Sequence, residues 1–272
     1  MNCRGQLIDL SEPKIMGILN MTPDSFSDGG QFNNEKSALL QVEKMITEGA
    51  SMIDIGAQST RPKADIISAE DEIVRLGSLI SKIKTEFPQI LISLDSFYSE
   101  TVNFGFEEGI DLVNDISGGM FDEKMFETVA KTQLPYVLMH VNPTYESMHE
   151  KLIDEDIILK INYYFSEKIQ KLRSLGIKDI LLDPGFGFGK TVEQNHQMIE
   201  ELDLISPAEY PVLIGISRKS FIYKPLGKSP LDIETETQKL HLQLLGKGAK
   251  ILRVHDVLAT KNTIDLFLKN SV

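Results

Sequence analysis

A single cysteine, Cys3, is all the thiol chemistry this chain carries. It excludes an internal disulfide and fits a reducing compartment, so the cytoplasm is the expected location. A basic excess is missing too, because 28 lysines and arginines stand against 40 acids, a formal charge of −12. A nucleic-acid surface needs a basic stripe to neutralise phosphates, so small molecules are the expected partners and nucleic acid is not. The opening MNCRGQLIDLSEPK has no apolar h-region, and no later run approaches the length of a membrane span, so neither export nor membrane insertion is expected. A GxSxG elbow, a GxxxxGK[ST] phosphate loop and a CxxC pair are absent. GFGFGK, with alternating glycines and no [ST] in the phosphate-loop frame, only superficially resembles a nucleotide loop.

What is present is best seen in Ile180 to Lys190, ILLDPGFGFGK. An apolar run of strand length ends on Asp183, and Pro184 with glycines 185, 187 and 189 then stops regular structure. The same grammar recurs in IMGILN to Asn20, SMIDIG to Asp54, ILISLD to Asp95, DLVND to Asn114 and Asp115, YVLMH to His140, VLIGISRK to Arg218 and Lys219, and ILRVH to Arg253 and His255. Strand starts fall near residues 15, 52, 90, 111, 136, 180, 212 and 251, leaving room for a helix in every interval. Runs that are apolar throughout fit parallel strands covered on both faces. The fold class is therefore α/β, a (β/α)8 TIM barrel, and the spacing favours closure over an open doubly wound sheet. The 272 residues suit one such barrel, taken as a single domain over 1–272. Residues 2 to 11 predict a short N-terminal β-hairpin closing the barrel's lower end.

Helical spacing predicts a helix over 35–48 and, from the Ser68/Asp71 capping box, a second reaching Phe87 before Pro88. Others are expected near 99–108, 122–132, 154–175, 193–204, 232–247 and 259–269. The helix from Asp154 has acids 154–156 in its first turn and Gly176 just beyond its end, as the helix dipole prefers. His149, His196 and His241 read as solvent-facing or helix-surface residues, and His140 lacks a second ligand at zinc spacing.

In such a barrel the site lies at the C-terminal ends of the strands. Asn20, Asp95, Asn114, Asp183, Lys219, Arg253 and His255 come to that end from six strands, and their convergence is the functional signal. Singly, each Asp or Asn reads as a turn former or cap. Asp95, Asn114 and Asp183 suit a flat heterocycle with several N–H donors on one edge, such as an amino-pyrimidinone. Lys219, Arg253 and His255 suit an anion such as phosphate, the plain alternative being ion pairs with the neighbouring carboxylates. GISRKSF runs from a strand into a helix start, where backbone N–H groups and Ser220 could hold a carboxylate or phosphate. Arg61, after Ser59 and Thr60 and before Pro62, fits an anion contact on a polar loop over 56–65.

MGILNMTPDSFSDGG, GAQSTRP, ISLDSF, VNDISGG, LMH, LLDPGFGFGK, GISRKSF and LRVHDV together resemble the motifs of dihydropteroate synthase, in that family's order from about Met16 to Val257. The resemblance implies condensation of 6-hydroxymethyl-7,8-dihydropterin pyrophosphate with p-aminobenzoate, giving 7,8-dihydropteroate and pyrophosphate in folate biosynthesis. It implies that Asp95, Asn114 and Asp183 hold the pterin edge, with Lys219 on the other side and Met139 and Phe188 lining the pocket. Asn20 would ligate Mg²⁺, Arg253, His255 and Arg61 would hold the phosphates, and Ser220, Thr60 and Pro62 would position p-aminobenzoate. Lys219, Arg253, His255, Asp95 and Asp183 are thus the expected catalytic set, Mg²⁺ the cofactor and a homodimer the expected assembly. Gln58 stands where the family often has an acid and Lys63 where glycine is frequent. ETETQKLHLQLLGKGA lacks the small residues often found in that stretch, which belongs to helices that usually build the dimer interface. A pterin-dependent methyltransferase of the same barrel family and a non-catalytic pterin-binding subunit are the alternatives.

Overall fold

The computed structural model describes residues 1–21, 31–59, 64–142, 144–145, 147–150, 156–205 and 210–270. Two short strands, β1 (Asn2–Cys3) and β2 (Gln6–Leu7), pair antiparallel as the expected hairpin. Eight parallel strands follow: β3 (Lys14–Asn20), β4 (Met52–Gly56), β5 (Leu91–Asp95), β6 (Leu112–Asp115), β7 (Tyr136–Met139), β8 (Ile180–Asp183), β9 (Val212–Ile214) and β10 (Ala249–Val254). They run in chain order, and β10 pairs with β3, Ile251 against Lys14 and Arg253 against Met16, to close the barrel. The open sheet is thereby excluded.

Successive side chains of a strand point to opposite faces, and both faces of these strands are buried for different reasons. Outward, Ile53, Ile55, Ile92, Leu94, Leu182 and Leu252 join one large core with the helices. Inward, each strand contributes one residue to a plug of Met16, Met52, Leu91, Leu112, Val137, Leu181, Leu213 and Ile251, with Cys3 of the hairpin packed among them. Full burial of such a side chain contributes roughly 1.5–3 kcal/mol. The lower half of the barrel therefore carries stability and leaves the upper half free for polar groups.

Helices α1 (Gln31–Thr47), α2 (Ala69–Leu76), α3 (Leu79–Glu86), α4 (Ser99–Glu108) and α5 (Met125–Thr132) fill the first intervals. After them come α6 (Ser147–Glu150), α7 (Ile157–Ser174), α8 (Val192–Glu200), α9 (Ser220–Tyr223), α10 (Glu234–Gly246) and α11 (Val257–Asn270). The Ser68/Asp71 capping box forms, but the helix it opens does not reach Phe87. Gly77 takes φ 50° and ψ −129°, ending α2 while its N–H still donates to the Ile73 carbonyl, and α3 starts afresh. The helix expected from Asp154 begins at Ile157, with Asp156 as its N-cap accepting from the N–H groups of Ile158 and Leu159 rather than sitting in its first turn. The helix expected to run to 204 stops at Glu200 and is followed by a 3-10 turn over Leu202–Leu204.

His241 is a further correction. It is fully buried beneath α11, its Nδ1 3.2 Å from Gln238 Oε1, and burial pushes its pKa down to about 3, so it stays neutral. The apolar surroundings of α10 claim it, where its polarity had suggested solvent. His196 is exposed as expected, and the side chain of His149 lies outside the described residues.

Candidate active site at the barrel mouth

Two residues above the plug on each strand lie Ile18, Asp54, Ser93, Asn114, Met139, Asp183, Gly215 and Arg253, all facing the interior by the pleat. Across neighbouring strands, Asn20 pairs in register with Gly56, Gly56 with Asp95 and Asp95 with Asn114. The predicted polar groups of β3, β5 and β6 thus reach one level although they are far apart in sequence. Asp115, next to Asn114, points outward instead. It accepts from the Tyr136 hydroxyl at 2.6 Å and from the N–H groups of Ser117 and Gly119, which makes it the pin of the turn after β6.

Arg253 is the hub of the mouth. Its Nε donates to Asp54 Oδ2 at 2.6 Å and its Nη2 to Asp95 Oδ2 at 2.6 Å. Asp54 Oδ2 also accepts from Asn114 Nδ2 at 3.0 Å. Burial alone would depress the Arg253 pKa, yet the two carboxylates hold its proton more tightly than usual. Burial pushes Asp95 upward, Arg253 opposes that shift, and Asp54, Glu72 and Asp115 add to it. The ion-pair alternative for Arg253 is therefore realised in this structure. Its Nη1 makes no hydrogen bond to a described residue.

Opposite, the loop after β8 builds a floor. Asp183 Oδ1 accepts from the Gly185 N–H at 2.7 Å; burial raises its pKa while that N–H, Lys219 and Arg253 pull it back. The Lys219 ammonium sits 4.0 Å from the centre of the Phe188 ring, a cation–π contact. Burial lowers Lys219 to about 8, with Asp183 resisting and Arg253 reinforcing the shift. Met139 and Phe188 belong to an apolar wall with Phe97, Ile116, Val141 and Met148.

His255 is oriented by Ser217, whose Oγ lies 3.0 Å from His255 Nδ1 and accepts from the His255 N–H at 3.2 Å. Ser220 heads α9, but that helix is a single turn, Ser220–Tyr223, so its dipole is far smaller than the sequence suggested. Arg218, at φ 60°, turns away to pair with Asp256 at 2.8 Å. His140 is buried against Tyr164 and held neutral, its pKa far below the usual imidazole range because of burial and the nearby Lys190.

Of the predicted site residues, Asp95, Asn114, Asp183, Lys219, Arg253, His255, Met139, Phe188, Ser220 and Asn20 are described at this end. Thr60, Arg61 and Pro62, with Lys63, lie outside the described residues. Their flanks are tied by Gln58, whose amide donates to the Ser59 and Asp65 carbonyls at 2.8 and 3.0 Å and accepts from the Ile67 N–H at 2.9 Å. An acid at this position could not make the two donations. Asn20 is half-buried and its amide makes no hydrogen bond to a described residue, while no group of three His, Cys, Asp or Glu among the described residues could form a protein cage for a metal. A lone hard oxygen donor fits Mg²⁺, which keeps several waters and shares substrate phosphates.

Two participants escaped the sequence reading. Asp54 was visible as the strand's carboxylate, yet it lies two residues inside β4, and only the inward register shows that it reaches the site. Lys190, in the GFGFGK run, donates to the carbonyls of Gly185 at 2.8 Å, Phe188 at 3.0 Å and His140 at 3.4 Å. Burial lowers its pKa to about 7. Lys190→Met keeps the stem but removes every donor; it is expected to cost about 2 kcal/mol, read as a lower melting temperature with faster hydrogen exchange at the Phe188 amide.

The sequence model of the family described as pterin binding enzyme matches residues 16–255. A dihydropteroate synthase of Streptococcus pyogenes serotype M3 is 38% identical over 264 residues, 96% of each chain. The chain belongs to the pterin-binding enzymes, among the dihydropteroate synthases. Solved members of the family share its shape. The Yersinia pestis dihydropteroate synthase, in a sulfonamide drug complex, has a TM-score of 0.93 at 35% identity, covering 100% of this chain and 98% of that one. The Burkholderia cenocepacia enzyme, complexed with 7,8-dihydropteroate, has a TM-score of 0.90 at 30% identity, covering 100% and 96%. Family membership makes the chain an enzyme, a transferase of folate biosynthesis. Among its described residues no helix is long and apolar enough to cross a membrane.

Proposed function

We propose that this mouth takes 6-hydroxymethyl-7,8-dihydropterin pyrophosphate and p-aminobenzoate and joins them into 7,8-dihydropteroate, releasing pyrophosphate. The assignment of roles is carried by one observation, the buried Asn114 and Asp183 with the half-buried Asp95 at the same end of the barrel, the two carboxylates within electrostatic reach of Lys219. Acceptors on one side match the N–H edge of an aminopterin, and an ammonium resting on Phe188 supplies a donor to the ring's other side.

In the reaction the bond from the pterin methylene to the pyrophosphate oxygen breaks, and its electron pair leaves with pyrophosphate. Positive charge develops on the methylene, where Asp95 and Asp183 favour it, while Arg253 and His255, with Arg61, hold the departing anion. Mg²⁺ held by Asn20 would supply further charge compensation for that anion. The amine of p-aminobenzoate then forms the new C–N bond and gives up one proton to water or to the departing pyrophosphate. Ser220, Thr60 and Pro62 hold the aminobenzoate in line, so positioning supplies much of the acceleration. For Ser220 the contacts available are a hydroxyl and a first-turn N–H rather than a long helix dipole.

A cytoplasmic homodimer remains the proposed state, supported by the lone buried Cys3 and by the exposed Leu258 and Leu266 on α11. The test is pyrophosphate release by the purified protein with the pterin pyrophosphate, Mg²⁺ and p-aminobenzoate. Release should require p-aminobenzoate, match dihydropteroate formed, and fall at least about a hundredfold in Lys219→Ala, the scale of one lost charged donor in a dry site. Pterin binding without turnover would return the site to a binding-only subunit.

A further inference from the structure

We infer that Asp54 is a positioning residue of the pterin site, orienting the Asn114 amide and aiming the Arg253 guanidinium; this rests on reading the mouth as the pterin pocket. Asp54 has no solvent exposure and lies inside β4, in register with Ile18 and Ser93. A buried carboxylate is costly unless paired, and an apolar residue there would simply continue the plug upward. Both partners of Asp54 are instead groups of the site, through Oδ2 alone, and Oδ1 has no partner.

Two consequences follow from donor chemistry. A carboxylate paired with a guanidinium accepts only, so the Asn114 NH₂ group must face Asp54. The Asn114 carbonyl is thereby turned away, available to a ring N–H. The guanidinium is planar, so fixing Nε on Asp54 and Nη2 on Asp95 also fixes the direction of Nη1, the arm left for the leaving phosphates. The carboxyl groups of Asp54 and Asp95 outnumber the one guanidinium between them, which favours a pterin losing electron density at its methylene.

Asp54→Asn keeps the shape and removes the charge. It is expected to raise the KM for the pterin pyrophosphate and the Kd for free dihydropterin about tenfold, the worth of one weakened charge-assisted bond. The KM for p-aminobenzoate should not move. A purely structural role predicts equal changes for both substrates, or a lower melting temperature with unchanged KM values, and either result overturns the inference. A second arm covers the possibility that the single variant folds poorly. In an Arg253→Met background, Asp54 keeps only its bond from Asn114 and has no charge partner, so adding Asp54→Asn should raise the melting temperature and still weaken binding of free dihydropterin. Free dihydropterin affinity that the added substitution leaves unchanged would also sink the proposal. Failure of the wild-type protein to bind free dihydropterin would overturn the pocket reading itself, whereas wild-type binding that Asp54→Asn leaves unchanged would overturn only the role of Asp54.

Discussion

Arg253→Ala is expected to abolish most turnover while leaving free dihydropterin bound nearly as well as before. The guanidinium pairs with Asp54 and Asp95, each at 2.6 Å, and its side chain is 21% exposed. Removing one partner of a buried pair costs roughly 3–5 kcal/mol, because the charge left behind is not solvated. Partial exposure places this case near the lower end, about 3 kcal/mol, or a melting temperature lower by roughly 6–12 °C for a chain of this size. The pterin edge keeps Asn114 and Asp183, and an Asp95 left protonated without Arg253 still accepts through its carbonyl oxygen, whereas the pyrophosphate loses its fixed Nη1 donor. Binding of the pyrophosphate-bearing pterin should therefore weaken far more than that of free pterin. Equal losses for both ligands, measured by isothermal calorimetry, would contradict the role given to Arg253.

The same substitution has a pH signature. Burial already raises the folded-state pKa of Asp95, and Arg253 is the main influence lowering it. Without Arg253 the folded value rises further above the unfolded one. A carboxyl whose folded pKa is raised contributes stability that is complete below its unfolded pKa and is lost as pH rises through the folded pKa. The stability deficit of Arg253→Ala should thus change little below about pH 7, the folded value with Arg253 present, and grow above it. A deficit that stays constant on going above neutrality, in denaturant melts, would show that Asp95 does not feel the missing charge.

Much of this architecture is legible in the sequence because strands covered on both faces must be apolar throughout, and Ile53, Ile92 and Leu182 outside with Met52, Leu91 and Leu181 inside meet that demand. The strand ends were legible for a related reason. A polar residue directly after such a run has nowhere to go but the rim, and Asn20, Asp95, Asn114 and Asp183 all do so. Asp54 was assigned no role because the same logic treats a carboxylate within a strand as its end; its role depends on which way the pleat turns it, a matter of register. The Gly77 break escaped because one glycine in an amphipathic stretch is tolerated by most helices. Here a backbone at φ 50° and ψ −129° is what lets α2 and α3 each lay a face on the barrel. His241 was misjudged, since polarity predicts exposure only where burial is not on offer, and Lys190 was given no role at all. The backbone carbonyls around Lys190 cannot be seen in a sequence.

The loop that Lys190 gathers gives the second large effect, Gly185→Ala. Gly185 has φ +70°, and a Cβ there would stand 2.0 Å from the His140 carbonyl oxygen. That contact is with backbone, so no side-chain rotation can relieve it, and the chain after β8 must move. Movement takes with it the Gly185 N–H that Asp183 accepts and the Gly185 carbonyl that Lys190 reaches. It also takes Phe188, on which the Lys219 ammonium rests. The expected cost is at least about 3 kcal/mol, from left-handed strain of about 1–2 kcal/mol with a lost bond to a charged group of about 1.5–3 kcal/mol. Affinity for free dihydropterin should fall with it. Gly176→Ala separates strain from crowding: Gly176 has φ +83°, yet nothing lies within 4 Å of its would-be Cβ. That variant should lose only the strain, about 1 kcal/mol, and keep wild-type pterin affinity. If the two variants melted together, the approach of His140 to Gly185 would not be what requires glycine in this motif. If they separated as expected, the motif that resembles a nucleotide loop would owe its glycines to a backbone crossing beneath the substrate.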